Sequence, residues 1–163
     1  MPTPLSDGQP APDFTVETDK GETVNLKDFA GKHVVLYFYP KDDTPGCAME
    51  ACNFRDNIGR LEAAGAVVLG ISLDSVSSHE KFRDKFELPF TLLADTDHKV
   101  ADAYGVYGQK TFMGREYMGI DRATFLIGPD GTLEKVWPKV KADGHALEVL
   151  AWLKEHKAAK KGA

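Results

Sequence analysis

Val34-Val35-Leu36-Tyr37-Phe38-Tyr39-Pro40-Lys41-Asp42-Asp43-Thr44-Pro45-Gly46-Cys47-Ala48-Met49-Glu50-Ala51-Cys52 runs from an apolar strand through a sharp turn into a helix holding both cysteines of the protein. The first six residues lack polar alternation and are rich in β-branched and aromatic types, the pattern of a central strand covered on both faces. Thr44 suits a helix N-cap, and Pro45 suits the first helical position. Cys47, Ala51, Phe54, Ile58 and Leu61 then recur at steps of four and three, which makes one helical stripe. Glu50, Asn53, Asp56, Asn57 and Arg60 fall largely on other faces. Gly65 is the expected helix end, and residues 66–73 read as a second buried strand. Strand, helix and strand at this spacing form a right-handed βαβ unit with parallel strands.

Upstream, residues 13–17 and 22–26 read as a hairpin turning through Thr18-Asp19-Lys20-Gly21. Downstream, Ser77-Ser78-His79-Glu80 reads as a capping box before a helix that carries Phe82 and Phe86 and stops at Pro89. Residues 90–94 are a short strand, and residues 95–104 a short helix closed by Gly105. Residues 107–119, punctuated by glycines and aromatics, read as a loop of the kind that often carries function. Residues 123–127 and 133–137, joined by Gly128-Pro129-Asp130-Gly131, form an antiparallel hairpin. Residues 143–156 are a last amphipathic helix with Ala146, Val149, Leu150 and Leu153 inward. The sum is an α/β chain, a mixed sheet with helices on both faces, and one domain over residues 1–163. In such sheets sites gather beyond the carboxyl ends of parallel strands, where residues 44–47 lie.

Composition narrows the function classes. A net charge of −5 gives no general attraction to nucleic acid or an anionic membrane. No apolar run is long enough to span a bilayer. The first dozen residues, with Pro2, Pro4, Pro10 and Pro12, lack the regions of a signal peptide, so a soluble cytoplasmic protein is expected. Two cysteines cannot make a four-cysteine zinc site, and no histidine pair stands at zinc-finger spacing. Gly105, Gly108, Gly114 and Gly119 make no dinucleotide fingerprint, and there is no P-loop; no cofactor or metal is expected. The five histidines are scattered and are assigned no catalysis. Lys154, Lys157, Lys160 and Lys161 suit a solvated helix end.

A cysteine in the first turn of a helix lies near unpaired N–H groups and the positive end of the helix dipole, which favour thiolate. An ordinary thiol is only a few per cent ionised at neutral pH, and making it mostly thiolate takes roughly 3 kcal/mol. A helix end supplies only ~0.3–1 kcal/mol, up to ~2 when partly buried. A fixed cation is therefore required. Arg55 and Arg60 are too far along the helix, whereas Arg122, just before a hairpin strand, can return to the site. Five residues along an ideal helix separate Cα atoms by about 8.6 Å, beyond the ~7 Å limit for a disulfide. Joining Cys47 to Cys52 would require the first turns to unwind.

Pro40-x3-Thr44-x2-Cys47 resembles the active-site signature of the peroxiredoxins. With Cys52 five residues on and Gly119-Ile120-Asp121-Arg122-Ala123-Thr124-Phe125-Leu126-Ile127 downstream, nearly the whole chain resembles the bacterioferritin-comigratory-protein (peroxiredoxin Q) group. The resemblance implies a thioredoxin-like fold with an N-terminal hairpin extension. It implies that Cys47 attacks hydrogen peroxide or an alkyl hydroperoxide and becomes sulfenic acid. Thr44 and Arg122 would bind the peroxide with the Gly46 and Cys47 N–H groups, and Pro40 would shield the site. Cys52 would resolve the sulfenate as an intramolecular disulfide, which a thioredoxin or similar dithiol reductant reopens. Such resolution needs no second subunit, so a monomer is expected. Ala48 stands where many members of the group have Thr, with no mechanistic consequence. A buried structural cysteine is the plain alternative for either thiol, and a surface charge for Arg122. Glu50 is either a partner for an arginine or an exposed helical residue. Tyr107, Phe112, Met113, Tyr117 and Met118 could form an apolar mouth, although loop packing explains them as well. A thioredoxin-like dithiol oxidoreductase is disfavoured by the absence of Cys-x-x-Cys and of a cis-proline where Arg122-Ala123-Thr124 stands. A redox-switched binding protein or holdase is the non-enzymatic alternative.

Overall fold

The computed structural model describes residues 5–161 of the 163-residue chain, which leaves Pro2 and Pro4 outside. The side chains of Phe112, Lys157, Lys160 and Lys161 also lie outside the described residues. The architecture rests on β3 (His33–Phe38), which pairs parallel with β4 (Ala66–Ser72) on one side. On the other side it pairs antiparallel with β8 (Ala123–Ile127). Val34, Leu36 and Phe38 join one apolar cluster, with Val100, Tyr104 and Phe125. Val35, Tyr37 and Tyr39 join another, with Ala51, Phe54, Phe82 and Leu150. Both faces of the strand are covered, which is why its sequence is apolar without alternation.

The remaining strands are β1 (Thr15–Thr18), β2 (Thr23–Asn25), β5 (Thr91–Ala94) and β9 (Leu133–Trp137). They complete a seven-stranded mixed sheet in the order β2-β1-β5-β4-β3-β8-β9. The first hairpin is β1 against β2, and Leu26–Phe29 continues it as a 3-10 turn that the sequence did not announce. The helices α1 (Pro45–Asp56), α2 (Ile58–Ala63), α3 (Val76–Phe86) and α5 (His145–Lys161) contribute to the second cluster, and α4 (Lys99–Ala103) to the first. Ala146, Val149, Leu150 and Leu153 face inward, as their spacing requires.

Four boundaries differ from expectation, each for a local reason. The helix expected to run to Gly65 breaks at Asn57, whose side-chain amide donates to the Asn53 carbonyl at 2.8 Å. A polar side chain that competes for helix carbonyls in this way interrupts the ladder. The cap of α3 is Ser75, whose Oγ accepts from the Ser78 N–H at 3.1 Å, so the expected box at 77–80 starts two residues late. The Asp95 carboxylate accepts from the N–H groups of Val100 and Ala101, and the helix expected over 95–104 contracts to α4. Residues 107–119 are no loop: β6 (Tyr107–Phe112) and β7 (Arg115–Ile120) form a separate two-stranded hairpin. Its turn residues Met113 and Gly114 both have positive φ, the backbone of a tight hairpin turn. A Met at the first of these positions gives none of the usual Asn or Asp signal.

Gly70 in β4 shows how closely the layers meet. A Cβ there would lie 2.9 Å from Leu92 Cδ2 and from both Cζ and the hydroxyl of Tyr37. The expected cost of Gly70→Ala is about 1–3 kcal/mol from overpacking. Urea denaturation checks this as a lowered midpoint.

Candidate active site

Past the carboxyl end of β3 the chain turns through residues 39–44 before entering α1. Asp42 pins that turn from within. Its Oδ1 accepts from the Tyr39 hydroxyl at 2.6 Å, and its Oδ2 accepts from Ser78 Oγ at 2.8 Å and faces His79 Nδ1 at 2.7 Å. The Asp42 N–H donates to Asp74 Oδ2 at 2.8 Å, and Ser72 Oγ donates to the same oxygen at 2.6 Å. His79 Nε2 lies 2.7 Å from the Leu93 carbonyl, which can only accept, so Nε2 carries a proton. Asp42, Asp74 and His79 have ligand-type atoms within 4.8 Å of one another. Those atoms are turned toward each other and toward hydroxyl donors, an arrangement suited to a hydrogen-bonded clamp. Sequence reasoning missed the clamp. The available signal was His79, which shares one face of α3 with Phe82 and Phe86.

The turn delivers Thr44 and Cys47 to the start of α1. Thr44 is the N-cap by backbone conformation, but its hydroxyl does not cap. It donates instead to the Lys41 carbonyl at 2.9 Å, which leaves its lone pairs free to accept. The first intrahelical bond runs from the Ala48 N–H to the Thr44 carbonyl at 2.8 Å, so the Gly46 and Cys47 N–H groups precede the ladder. Pro40 directly follows the buried end of the strand and is itself exposed.

Arg122 arrives from the connector between β7 and β8, its carbonyl held by the Val140 N–H. Its Nη2 donates to Cys47 Sγ at 3.3 Å, and its Nη1 donates to Glu50 Oε1 at 2.6 Å. Gly46 makes room for this approach, because a Cβ there would stand 3.2 Å from Nη2. Cys47 and Glu50 are both buried, so Glu50 belongs to the interior face of α1 and not to its polar side. Burial raises the Glu50 carboxyl to about 7 against the opposing pull of Arg122, and its Oε2 has no partner. Burial also works against the Arg122 charge, but Glu50 and Cys47 together hold the guanidinium above its ordinary value. Burial, followed by Glu50 and Cys47, pushes the nearby Tyr37 phenol well up. His145 on α5 is pushed down, mainly by burial and further by Arg122, with Glu148 opposing.

Cys52 is half-buried and unpaired, one further turn along the unbroken α1. Arg55 is engaged elsewhere, donating to Phe86 O and Asp56. The side chains considered for an apolar mouth lie on the β6–β7 hairpin. Met113, Tyr117 and Met118 are exposed there, whereas Tyr107 stacks on His98 and packs against the first apolar cluster.

Similarity to known proteins extends over most of the chain. Residues 8–136 match the model of the AhpC/TSA family. The bcp protein of Coxiella burnetii is 57% identical over 146 residues, which covers 90% of this chain and 97% of that one. Peroxiredoxin Bcp of Bacillus subtilis is 52% identical, with 91% and 94% covered. Peroxiredoxin Q of Xanthomonas campestris superposes with a TM-score of 0.83 at 41% identity, over 88% of this chain and 90% of that one. BcpB of Mycobacterium tuberculosis superposes with a TM-score of 0.82 at 33% identity, over 93% and 97%. The fold is thus the thioredoxin-like fold of these proteins.

Removing the Asp42 carboxylate leaves buried His79 and Tyr39 without their shared acceptor. Asp42→Ala is expected to destabilise the protein by about 3–5 kcal/mol, the cost of breaking a buried pair from one side. Equilibrium unfolding measures it.

Proposed function

The chain belongs to the AhpC/TSA family and is a peroxiredoxin, and from that premise we propose a thiol peroxidase that works through Cys47, with Cys52 as its resolving thiol. The observation that carries the assignment is the Arg122 guanidinium, 3.3 Å from Cys47 Sγ at the amino end of α1. A thiolate accepts such a bond. Cys47 sulfur attacks the terminal oxygen of the peroxide, the O–O bond breaks, and its electron pair leaves on the departing oxygen. That oxygen takes a proton to become water or an alcohol, and Cys47 retains the transferred hydroxyl as sulfenic acid. Thr44 Oγ, its own proton committed to Lys41, is free to accept the peroxide O–H. Arg122 and the Gly46 and Cys47 N–H groups face the charge that develops on oxygen, the fixed-dipole arrangement that stabilises a transition state. Pro40, exposed at the rim, limits the approach of water.

Cys52 then attacks the sulfenic sulfur, releasing water and forming the Cys47–Cys52 disulfide. Because α1 is helical through both residues, its first turns unwind for this step. A thioredoxin-like dithiol reduces the disulfide and restores the helix. Hydrogen peroxide and alkyl hydroperoxides are the proposed substrates. Support for the second comes from a Xanthomonas campestris bacterioferritin comigratory protein, 40% identical, whose structure was described in terms of alkyl peroxide reduction. The chain acts as one unit over residues 1–163, as a cytoplasmic monomer. No helix of the described residues is long and apolar enough to cross a membrane.

Reduced protein treated with one equivalent of hydrogen peroxide should form the Cys47–Cys52 disulfide rapidly, as followed by stopped flow and peptide mass spectrometry. Oxidation no faster than that of a free thiol sinks the proposal. Cys52→Ser should complete one turnover and stop at the Cys47 sulfenic acid. Arg122→Ala is expected to lower the rate of the peroxide step roughly 10²- to 10³-fold, the usual effect of losing one fixed donor to a developing oxyanion. An unchanged rate removes Arg122 from the site.

A further inference from the structure

One cation at this site faces two buried acids. Arg122 Nη2 serves Cys47 and Nη1 serves Glu50, three residues apart on α1. With both acids ionised the triad would carry a net negative charge in the interior. With only one ionised it is neutral. Glu50 Oε2 is buried and without a partner, so an ionised carboxylate would hold one oxygen with no donor. Such a group is costly to keep charged.

The groups facing the triad from other elements do not change the count. Tyr37 on β3 is pushed well up and stays a neutral phenol. His145 on α5 is pushed down, with its Nε2 at hydrogen-bond distance from Thr124 Oγ1. Asp42 in the preceding turn faces His79 at 2.7 Å and accepts from the Tyr39 and Ser78 hydroxyls, so it has partners of its own.

Resting on the peroxidase reading, we propose that Glu50 is the proton store of the peroxide step: it holds a proton while Cys47 is a thiolate on Arg122, and releases it as Cys47 becomes neutral sulfenic acid. The balance closes. Thiolate plus ROOH gives sulfenic acid plus RO⁻, with sulfur oxidised by two electrons and the peroxide reduced. The departing RO⁻ takes one proton from solvent and the Glu50 carboxyl gives one up to it, so no net proton is consumed. The triad begins as thiolate, guanidinium and neutral carboxyl. It ends as sulfenic acid, guanidinium and carboxylate, neutral at both stages. Glu50 acts through the Arg122 charge and touches no substrate, so it is a positioning residue. Burial pushes its carboxyl up to about 7 against the pull of Arg122, which places the exchange near neutral pH.

The test counts protons. Cys52→Ser protein, which halts at sulfenic acid, is mixed with hydrogen peroxide in weak buffer containing an indicator dye. With Glu50 present, proton uptake from solvent should rise from near zero to one per Cys47 as pH increases through the Glu50 midpoint. Above that midpoint Glu50 has no proton to give. Glu50→Gln keeps an acceptor for Arg122 but cannot titrate, and should take up one proton on both sides of the midpoint. Identical uptake curves in the two proteins overturn the proposal, and so does a flat curve with Glu50 intact, which needs no substitution at Glu50 to read. Peptide mass separates this from a deeper failure. If Cys47 gains no oxygen, the peroxidase reading falls and the Glu50 proposal falls with it; if it gains one with unchanged proton counts, only the Glu50 proposal falls.

Discussion

A single guanidinium ties the far part of the chain to the near part. Arg122 stands 75 residues beyond Cys47, yet its two amino groups reach Cys47 and Glu50 on one helix. Much of the surrounding structure can be understood as what brings it there. The β3–β8 pairing places the start of β8 beside the end of β3, in the register Phe38↔Ala123. Gly46 removes the side chain that would obstruct the approach, and Val140 holds the arginine backbone. Charge transferred into such a site is expensive unless partnered, so the ion pairing and the burial have to be considered together.

A second polar assembly lies on the other side of the same turn. Asp42, His79, Tyr39, Ser78 and Asp74 fix the backbone between β3 and α1, while Arg122, from the start of the neighbouring β8, addresses the first turn of α1. The two assemblies divide the work. One makes the approach to the helix rigid, and the other supplies charge at its end. Tyr37 in β3 and Tyr39 just beyond it have ring centroids 5.5 Å apart.

The sequence made β3, β4, the terminal hairpins and the inward face of α5 legible because apolar periodicity alone decides them. The βα turn was legible through Thr44, Pro45 and Cys47. Arg122 was reached by two routes: the electrostatic need for a fixed cation, and the family resemblance. What escaped depends on tertiary partners. For Glu50 the reading as a partner for an arginine holds, while its burial, against the spacing of a polar-face residue, depends on the return of Arg122. His79 is one of five scattered histidines until Asp42 and the Leu93 carbonyl are placed beside it. The Met113-Gly114 turn and the break at Asn57 are backbone events set by single residues, with no periodic pattern to reveal them.

The clamp at Asp42 also sets a limit on motion. Farther along α1, the Asn53 side chain accepts from the Ala146 N–H at 2.9 Å, which moors the helix to α5. Between these two fixtures lies a short bracket of chain that contains both cysteines. A rearrangement inside the bracket can leave the sheet, α5 and the body of α3 in place, so it is a local opening and not a partial unfolding of the molecule. Global stability and any rearrangement of this one small segment can therefore be tuned separately, by residues outside the bracket and residues within it.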